Sequence, residues 1–538
     1  MWYLKPNVVI EPLIGNWYAW AHLVFPPTAA LNIAERHLKI IRSFIQAPHI
    51  HAAAVKNPKM LGGPFMNFPV QDLEVVKNLE QELLREQGHM LELADAVGQL
   101  NTLIQHEATG YSLTSLYDKV PPPLKGRVEL FYDIYNQPGY RFIEPLIYKS
   151  EYNTDKLQSV ALWVTQNDER PFVLSTPRVE KDDVLLLRIP FRDGRLDQIA
   201  RAKREGITPE SYQQLLASLT LTPAQQALFA DLFTDEVPQP YQPYLQGKAR
   251  MRYFGHACIL LETPGVSVLV DPLISYYGYP TEVSRFSEMH LPDKIDYVLI
   301  THNHQDHVMF ETLLALRHKV GTFIVPRANK GLIQDPSLKL TLQDLGFANV
   351  LELDELETIT HNDVVVTGLP FMGEHSDLNV QTKLVYHVQI GGHGFLFCAD
   401  SCNVVPELYQ QVAQMVPQVD VMFLGMECDG APLSWVYGPL LPAPLAKDKD
   451  ISRRLAGSNF EQGRQLVDTF RPQEVFVYAM GMEPWLEFIS SIKYTEESNP
   501  IVQSNRLIDF CRSTGRQAER LYGEKELLYH ATEEATTV

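Results

Sequence analysis

Residues 295–307 read Ile-Asp-Tyr-Val-Leu-Ile-Thr-His-Asn-His-Gln-Asp-His, an apolar strand-like run that ends in three imidazoles and a carboxylate. Histidine and aspartate are costly in a core unless paired or metal-bound. A cluster of them on the loop leaving a strand is where a rigid scaffold tends to carry chemistry. His302 and His304 stand one residue apart and can converge on one ion from a loop. Asp306 and His307 then point to a neighbouring ion, so the stretch predicts a site for two metals.

The surrounding sequence predicts the scaffold. Arg252–Phe254, Cys258–Glu262 and Val266–Val270 are short apolar runs separated by turn residues, a β-meander closed by Asp271-Pro272. Further strands are expected at 321–325, 349–353, 363–367, 382–390, 394–399, 420–425 and 474–479. Helical patterns fall near 308–318, 339–346, 404–416, 458–471 and 501–515. Strands mixed with helices in this way indicate a layered α/β domain.

The first half has another texture. Its first forty residues are rich in aromatics and proline, and these aromatics read as core rather than as a substrate box. From Asp72 to about His106, apolar residues such as Val76, Leu79, Leu83, Val97 and Leu100 recur at helical spacing, with Gly88 and Gly98 arguing against one unbroken helix. Val184–Ile189 reads as a strand, and Thr208-Pro209-Glu210 as a capped helix start. The stretch 237–248 holds three prolines and reads as an extended linker. The expected division is an N-terminal α+β domain at 1–245 and a metal domain at 246–538.

Composition narrows the function class. The 538 residues carry 46 basic and 65 acidic side chains, a formal net charge of −19, which argues against a nucleic-acid backbone as partner. The start lacks the charged and apolar regions of a signal peptide, and no uncharged apolar run reaches the length of a membrane span. Five cysteines without a CxxC pair point to reduced thiols and a cytoplasmic location.

The His-x-His-x-Asp-His pattern, with Gly255-His256-Ala257 and Val268–Pro272 upstream, resembles the metallo-β-lactamase superfamily over roughly residues 249–538. That resemblance implies a C-terminal αββα sandwich with a dinuclear site at one edge of its sheets. It adds a ligand from the loop Gly373–Asp377 and Asp400 as the carboxylate that bridges the two ions. The chain departs from the zinc hydrolases of the fold late in the sequence. Where they place a last histidine, it reads Tyr478-Ala-Met-Gly-Met-Glu-Pro-Trp485, and only His530 follows His393. The second ion then keeps an open position or takes an unidentified ligand. Glu427 is a weak candidate and reads better as a loop residue. His256 is as readily a donor beside the site as a strand-start histidine, and the Pro- and Gly-rich stretch 428–450 reads as a long surface loop or a lid.

A donor set about half carboxylate suits iron and oxygen better than zinc, whose sites favour nitrogen and sulfur. The Gly-Glu-His-Ser-Asp-Leu loop, the Tyr478–Trp485 segment and the large N-terminal half resemble the diiron β-hydroxylase of chloramphenicol biosynthesis and its relatives. That resemblance implies Glu374 as the ligand in place of a third histidine, with His375 as the fallback. The metal set becomes His302, His304, Asp306, His307, Glu374 and Asp400, with Glu374 and Asp400 also catalytic. It implies two iron ions, O2 as co-substrate, and β-hydroxylation of an amino acid held as a thioester on a carrier domain of a nonribosomal peptide synthetase. It also implies a homodimer supported by the N-terminal domain. No flavin or nicotinamide fingerprint is present, so electrons would come from an external donor protein. The rival readings are a two-zinc hydrolase of an ester, lactone, amide or phosphoester, and a carrier-binding module without catalysis.

Overall fold

The computed structural model describes residues 1–361 and 363–530; the last eight residues of the expected metal domain lie outside them. Two seven-stranded sheets face each other in the C-terminal half. The first runs in the order 350–353, 320–326, 295–299, 267–270, 259–262, 249–253, 525–529. The second runs 358–361, 364–369, 385–390, 393–397, 421–425, 474–478, 517–520. Successive residues along these strands point alternately to the shared core and to outer faces that are covered in turn, so the central strands are buried throughout. Met251, Tyr253, Leu261, Val268 and Val270 of the first sheet meet Val366, Tyr386, Val388, Phe397, Phe423 and Tyr478 of the second in one core.

The sandwich has helices on both outer faces. Pro406–Val412, Phe460–Phe470 and Asn499–Ser513 cover the second sheet, burying Leu466, Val467, Leu507 and Ile508 against Leu396, Met422 and Val475. The first sheet is covered by Phe310–Leu316 and Leu338–Asp344 together with the N-terminal domain. That domain is a four-stranded antiparallel sheet, Trp17–Tyr18, Val8–Ile14, Gln158–Val164 and Leu185–Leu187, flanked by helices. One apolar cluster runs without a break from Trp17, Phe25 and Phe44 to Leu260, Phe310 and Phe323. The expected αββα sandwich is therefore present, and a separate N-terminal domain supplies part of its outer layer.

Most expected elements lie within a few residues of the observed ones. The pattern from Asp72 to His106 resolves into Leu73–Glu86 and Gly88–Glu107, broken at Gln87 just before Gly88, while Gly98 sits inside the second helix without interrupting it. Thr208 caps Pro209–Ser218 by accepting from the Ser211 amide. The 237–248 stretch has no regular structure but is not a loose tether. Tyr241 hydrogen-bonds Glu262, and Arg250 donates to the Tyr241 hydroxyl at 2.7 Å. The strand Lys525–Tyr529, which pairs antiparallel with Ala249–Tyr253, has no counterpart among the expected strands. Among the described residues no helix is long and apolar enough to cross a membrane.

A buried ion-pair network joins the two halves. Arg170 donates to both oxygens of Glu311, at 3.0 and 2.8 Å, and to Glu11 on the strand Val8–Ile14. Arg178 grips Glu11 with two contacts of 2.9 Å. The Arg170 guanidinium also lies 3.8 Å from the centre of the Phe488 ring. Removing one partner of such a group strands a buried charge. Arg170→Ala is expected to destabilise the fold by about 3–5 kcal/mol, read as a lowered thermal midpoint. Burial alone would raise the Glu11 pKa, but Arg178 and Arg170 outweigh it and hold it at about 2 against an ordinary 4.5. A depressed carboxylate pKa stabilises above the ordinary value and loses that contribution as pH falls through the folded one. The fold should therefore lose stability between about pH 4.5 and 2, and less steeply in Glu11→Gln, as an acid titration followed by circular dichroism would show.

Candidate metal centre

The motif loop leaves the strand Ile295–Leu299 and is fixed from below by Asp271. Asp271 ends the neighbouring strand Ser267–Val270 and accepts from the Thr301 amide at 2.7 Å and the Thr301 hydroxyl at 2.6 Å. Its Oδ2 also lies 2.7 Å from His307 Nδ1. One buried carboxylate thus ties the first sheet to the loop and holds the His307 ring by Nδ1, so that Nε2 faces Asp400 and the other donors. The loop then folds over itself, the amides of His307 and Val308 bonding the His304 carbonyl at 3.1 and 2.8 Å.

The side chains expected at the site converge. Three groups of donor atoms, each within 4.8 Å of one another, are His302, His304 and Glu374; His302, His307 and Asp400; and His256, Asp306 and His307. His304 Nδ1 lies 2.8 Å from Glu374 Oε1. Asp400 Oδ2 lies between two imidazoles, 3.2 Å from His307 Nε2 and 3.8 Å from His302 Nε2. Asp306 sits on the far side, 3.4 Å from His256 Nε2. His375 belongs to none of the three groups. Its ring stacks on His304 at 4.5 Å, and its Nδ1 lies 2.8 Å from the second oxygen of Glu374.

The backbone around the site is held in an uncommon shape. His256, Asp271, Glu374, Ala399 and Ala479 all have left-handed φ, between 41° and 65°. Each such residue costs on the order of 1–3 kcal/mol and persists only where its surroundings over-determine it. Four of the five stand within a few residues of a strand end, where the chain must turn sharply to bring donors together.

Charge is as concentrated as strain. Burial opposes ionisation of Glu374, but His304 and His375 outweigh it and hold its carboxyl below the usual range. Asp306 is likewise depressed, by His256 and His307 against its burial. His302 is pushed well below the ordinary histidine value by burial and by His307 and His304. Glu427, read as a loop residue, is drawn into the same field. Burial and the carboxylates of Asp400, Asp306 and Glu374 push its pKa well above the usual range.

The donors fit a metal pair. His302 Nε2, Glu374 Oε2, Asp400 Oδ1 and both ring nitrogens of His256 are buried without an aligned hydrogen-bond partner. Polar atoms left like this are costly, and cations would satisfy them. The imidazole and carboxylate set also matches what iron takes.

Sequence reasoning gave no role to Asp271 or Tyr437. The Asp-Pro after a strand was a visible signal for the first. Tyr437 offered none, because it arrives from 133 residues away to contact His304 Nε2 at 3.3 Å. It lies in the stretch read as a loop or lid, which includes the short helix Ser434–Tyr437 and reaches the site through Tyr437. Arg36 donates to the Trp435 carbonyl at 2.6 Å, and the Trp435 indole donates to Gly62 O at 3.0 Å. His22 of the N-terminal domain packs against Tyr437 with ring centres 5.9 Å apart. Trp17, Tyr18, Trp20 and Phe25 are core, as expected, whereas Trp2 is exposed, and His22 brings this segment to the edge of the site.

Asp271→Asn keeps the size of the side chain and removes its charge. It should weaken metal binding about 10- to 100-fold while leaving the protein folded, as measured by competition with a chelator.

Comparisons with known proteins cover nearly the whole chain. Residues 3–238 match the diiron non-heme β-hydroxylase N-terminal domain, and residues 267–431 the β-lactamase superfamily domain. The chain is 39% identical over 532 residues to the 4-amino-L-phenylalanyl-CmlP-peptidyl-carrier-protein 3-hydroxylase of Streptomyces venezuelae, covering 97% of this chain and 99% of that one. The crystal structure of CmlA, a diiron β-hydroxylase from Streptomyces venezuelae, aligns with a TM-score of 0.92 at 39% identity, over 98% of this chain and 99% of that one. A mutant of CmlA aligns with a TM-score of 0.90 at 38% identity, over 98% and 100% of the two chains.

Proposed function

The chain belongs to the diiron non-heme β-hydroxylase family, and from that membership we propose that it hydroxylates the β-carbon of an aminoacyl group held as a thioester on a carrier domain of a nonribosomal peptide synthetase. It is an enzyme whose cofactor is a pair of iron ions and whose oxidant is O2. When bound, the iron pair supplies the oxidising power toward a C–H bond that the side chains lack. The balance is simple: a C–H group, O2, two electrons and two protons give C–OH and water. Family membership decides against the zinc hydrolase and the binding module.

The protein contributes position, dryness and proton placement. In this reading His302, His304 and Glu374 would hold one ion, Asp306 and His307 the other, and Asp400 would serve both. Asp271 keeps a proton on His307 Nδ1, and Tyr437 fixes His304 from its Nε2, so each ring turns its other nitrogen to the metal. The observation that carries the reading is Glu374, 2.8 Å from His304, at the position where the hydrolases of this fold use a third histidine. An added carboxylate favours oxidised iron over zinc.

Access follows from burial. His302, His307, His304 and Glu374 are closed off, whereas Asp306, Asp400 and Glu427 are only partly buried. A carrier-borne thioester would approach from that side, while Tyr437 and His22 seal the other. In this reading the electrons come from a separate donor protein. The N-terminal domain, 1–245, supports the site and a homodimer. Five unpaired cysteines support a reducing, cytoplasmic setting.

The direct test loads a carrier domain with an aminoacyl thioester, adds a reductant and isotopically heavy O2, and looks for one heavy oxygen at the β-carbon. Release of the amino acid without oxygen incorporation would instead restore the hydrolase. Glu374→His should lower iron content, raise zinc content and abolish most hydroxylation, as metal analysis and product mass would report. Unchanged iron and activity would remove Glu374 from the ligand set.

A further inference from the structure

The end of the strand Glu474–Tyr478 brings no imidazole to the second ion, yet it is not idle. The Ala479 amide donates to the His256 carbonyl at 2.9 Å. Four residues on, Glu483 Oε1 accepts from the His256 amide at 3.1 Å and from the Tyr253 hydroxyl. The Tyr478–Trp485 segment therefore builds a seat for another residue, and that residue is a histidine. Gly255, with φ of 108°, lets the chain pass under Trp485, where a Cβ would come within 2.6 Å of the indole ring.

The seated ring faces the metal centre. His256 is 2% exposed, and neither of its ring nitrogens has an aligned hydrogen-bond partner. Its Nε2 lies 3.4 Å from Asp306 Oδ2, and its ring centre 5.0 Å from that of His307. Its left-handed backbone, φ 51°, is held at a cost that a strand-start histidine would have no reason to bear. Asp306, His307 and His256 present one donor atom each within 4.8 Å of one another.

We propose that His256 is a ligand of the second ion, occupying from the start of the domain the position that zinc hydrolases of this fold fill from its end. The proposal rests on the dinuclear reading of the site. It gives the second ion Asp306, His307, His256 and a share of Asp400, so that two imidazoles and carboxylate oxygens serve each ion. A ligand this early in the domain also explains why no late histidine is needed.

The test compares full-length wild-type protein with His256→Ala and His256→Gln, each stripped of metal and titrated with ferrous ion under anaerobic conditions. Wild type should bind two ions per chain. Both variants should keep the first and bind the second at least about 10- to 100-fold more weakly, and free imidazole should restore it in His256→Ala. Two ions bound tightly in both variants would overturn the proposal and leave the dinuclear reading standing. Retention in His256→Gln alone would also overturn it, since glutamine can still donate to Asp306. Fewer than two ions in wild type would remove the dinuclear reading itself. Should the variants fail to fold, nitrogen-coupled pulsed EPR of metal-loaded wild type decides: four coordinated imidazoles support the proposal, and three refute it.

Discussion

Asp271, Asp306, Glu374, Asp400 and Glu427 bring five carboxyl groups, buried or partly buried, into one site at the strand ends of the sandwich. Packed together without cations they would repel, and their ionised forms would be costly to bury. The local architecture answers that constraint. Imidazoles are placed against the carboxylates, strand ends are bent into left-handed turns to deliver them, and donor atoms are left open for metal. The depressed pKa values of Asp306 and Glu374, and the raised one of Glu427, are the two faces of this crowding.

The N-terminal domain belongs to the same solution. It covers the first sheet with a continuous apolar core, is bolted to it through Glu11, Arg170 and Glu311, and sends His22 and Arg36 to the segment that carries Tyr437. A bare sandwich would leave His304 open to water on that side. Closing it costs the protein a second domain but yields a pocket in which oxygen chemistry is shielded from solvent.

Much of this was legible in the sequence, for definite reasons. The His302–His307 cluster and the strand before it are local, so composition and alternation alone give their role. The sandwich follows from the strand and helix rhythm. Glu374 and Asp400 came only through family resemblance, since nothing in their local sequence marks a ligand. What escaped was long-range. Tyr437 meets His304 from 133 residues away, His256 is placed by Glu483 from 227 residues away, and Asp271 acts on a loop thirty residues downstream. A periodicity or a propensity cannot report such pairings, because they are decided by how sheets stack rather than by what neighbours a residue has in the chain.

The strand Lys525–Tyr529 closes the first sheet by pairing with Ala249–Tyr253, the first strand of the C-terminal half. During synthesis on a ribosome, that first strand keeps an unpaired edge until almost all of the C-terminal half has emerged. The N-terminal domain can collapse early, whereas the sandwich beside it waits with backbone donors and acceptors open to wrong partners. Until Lys525–Tyr529 has emerged, the nascent sandwich therefore keeps one edge open to wrong pairing.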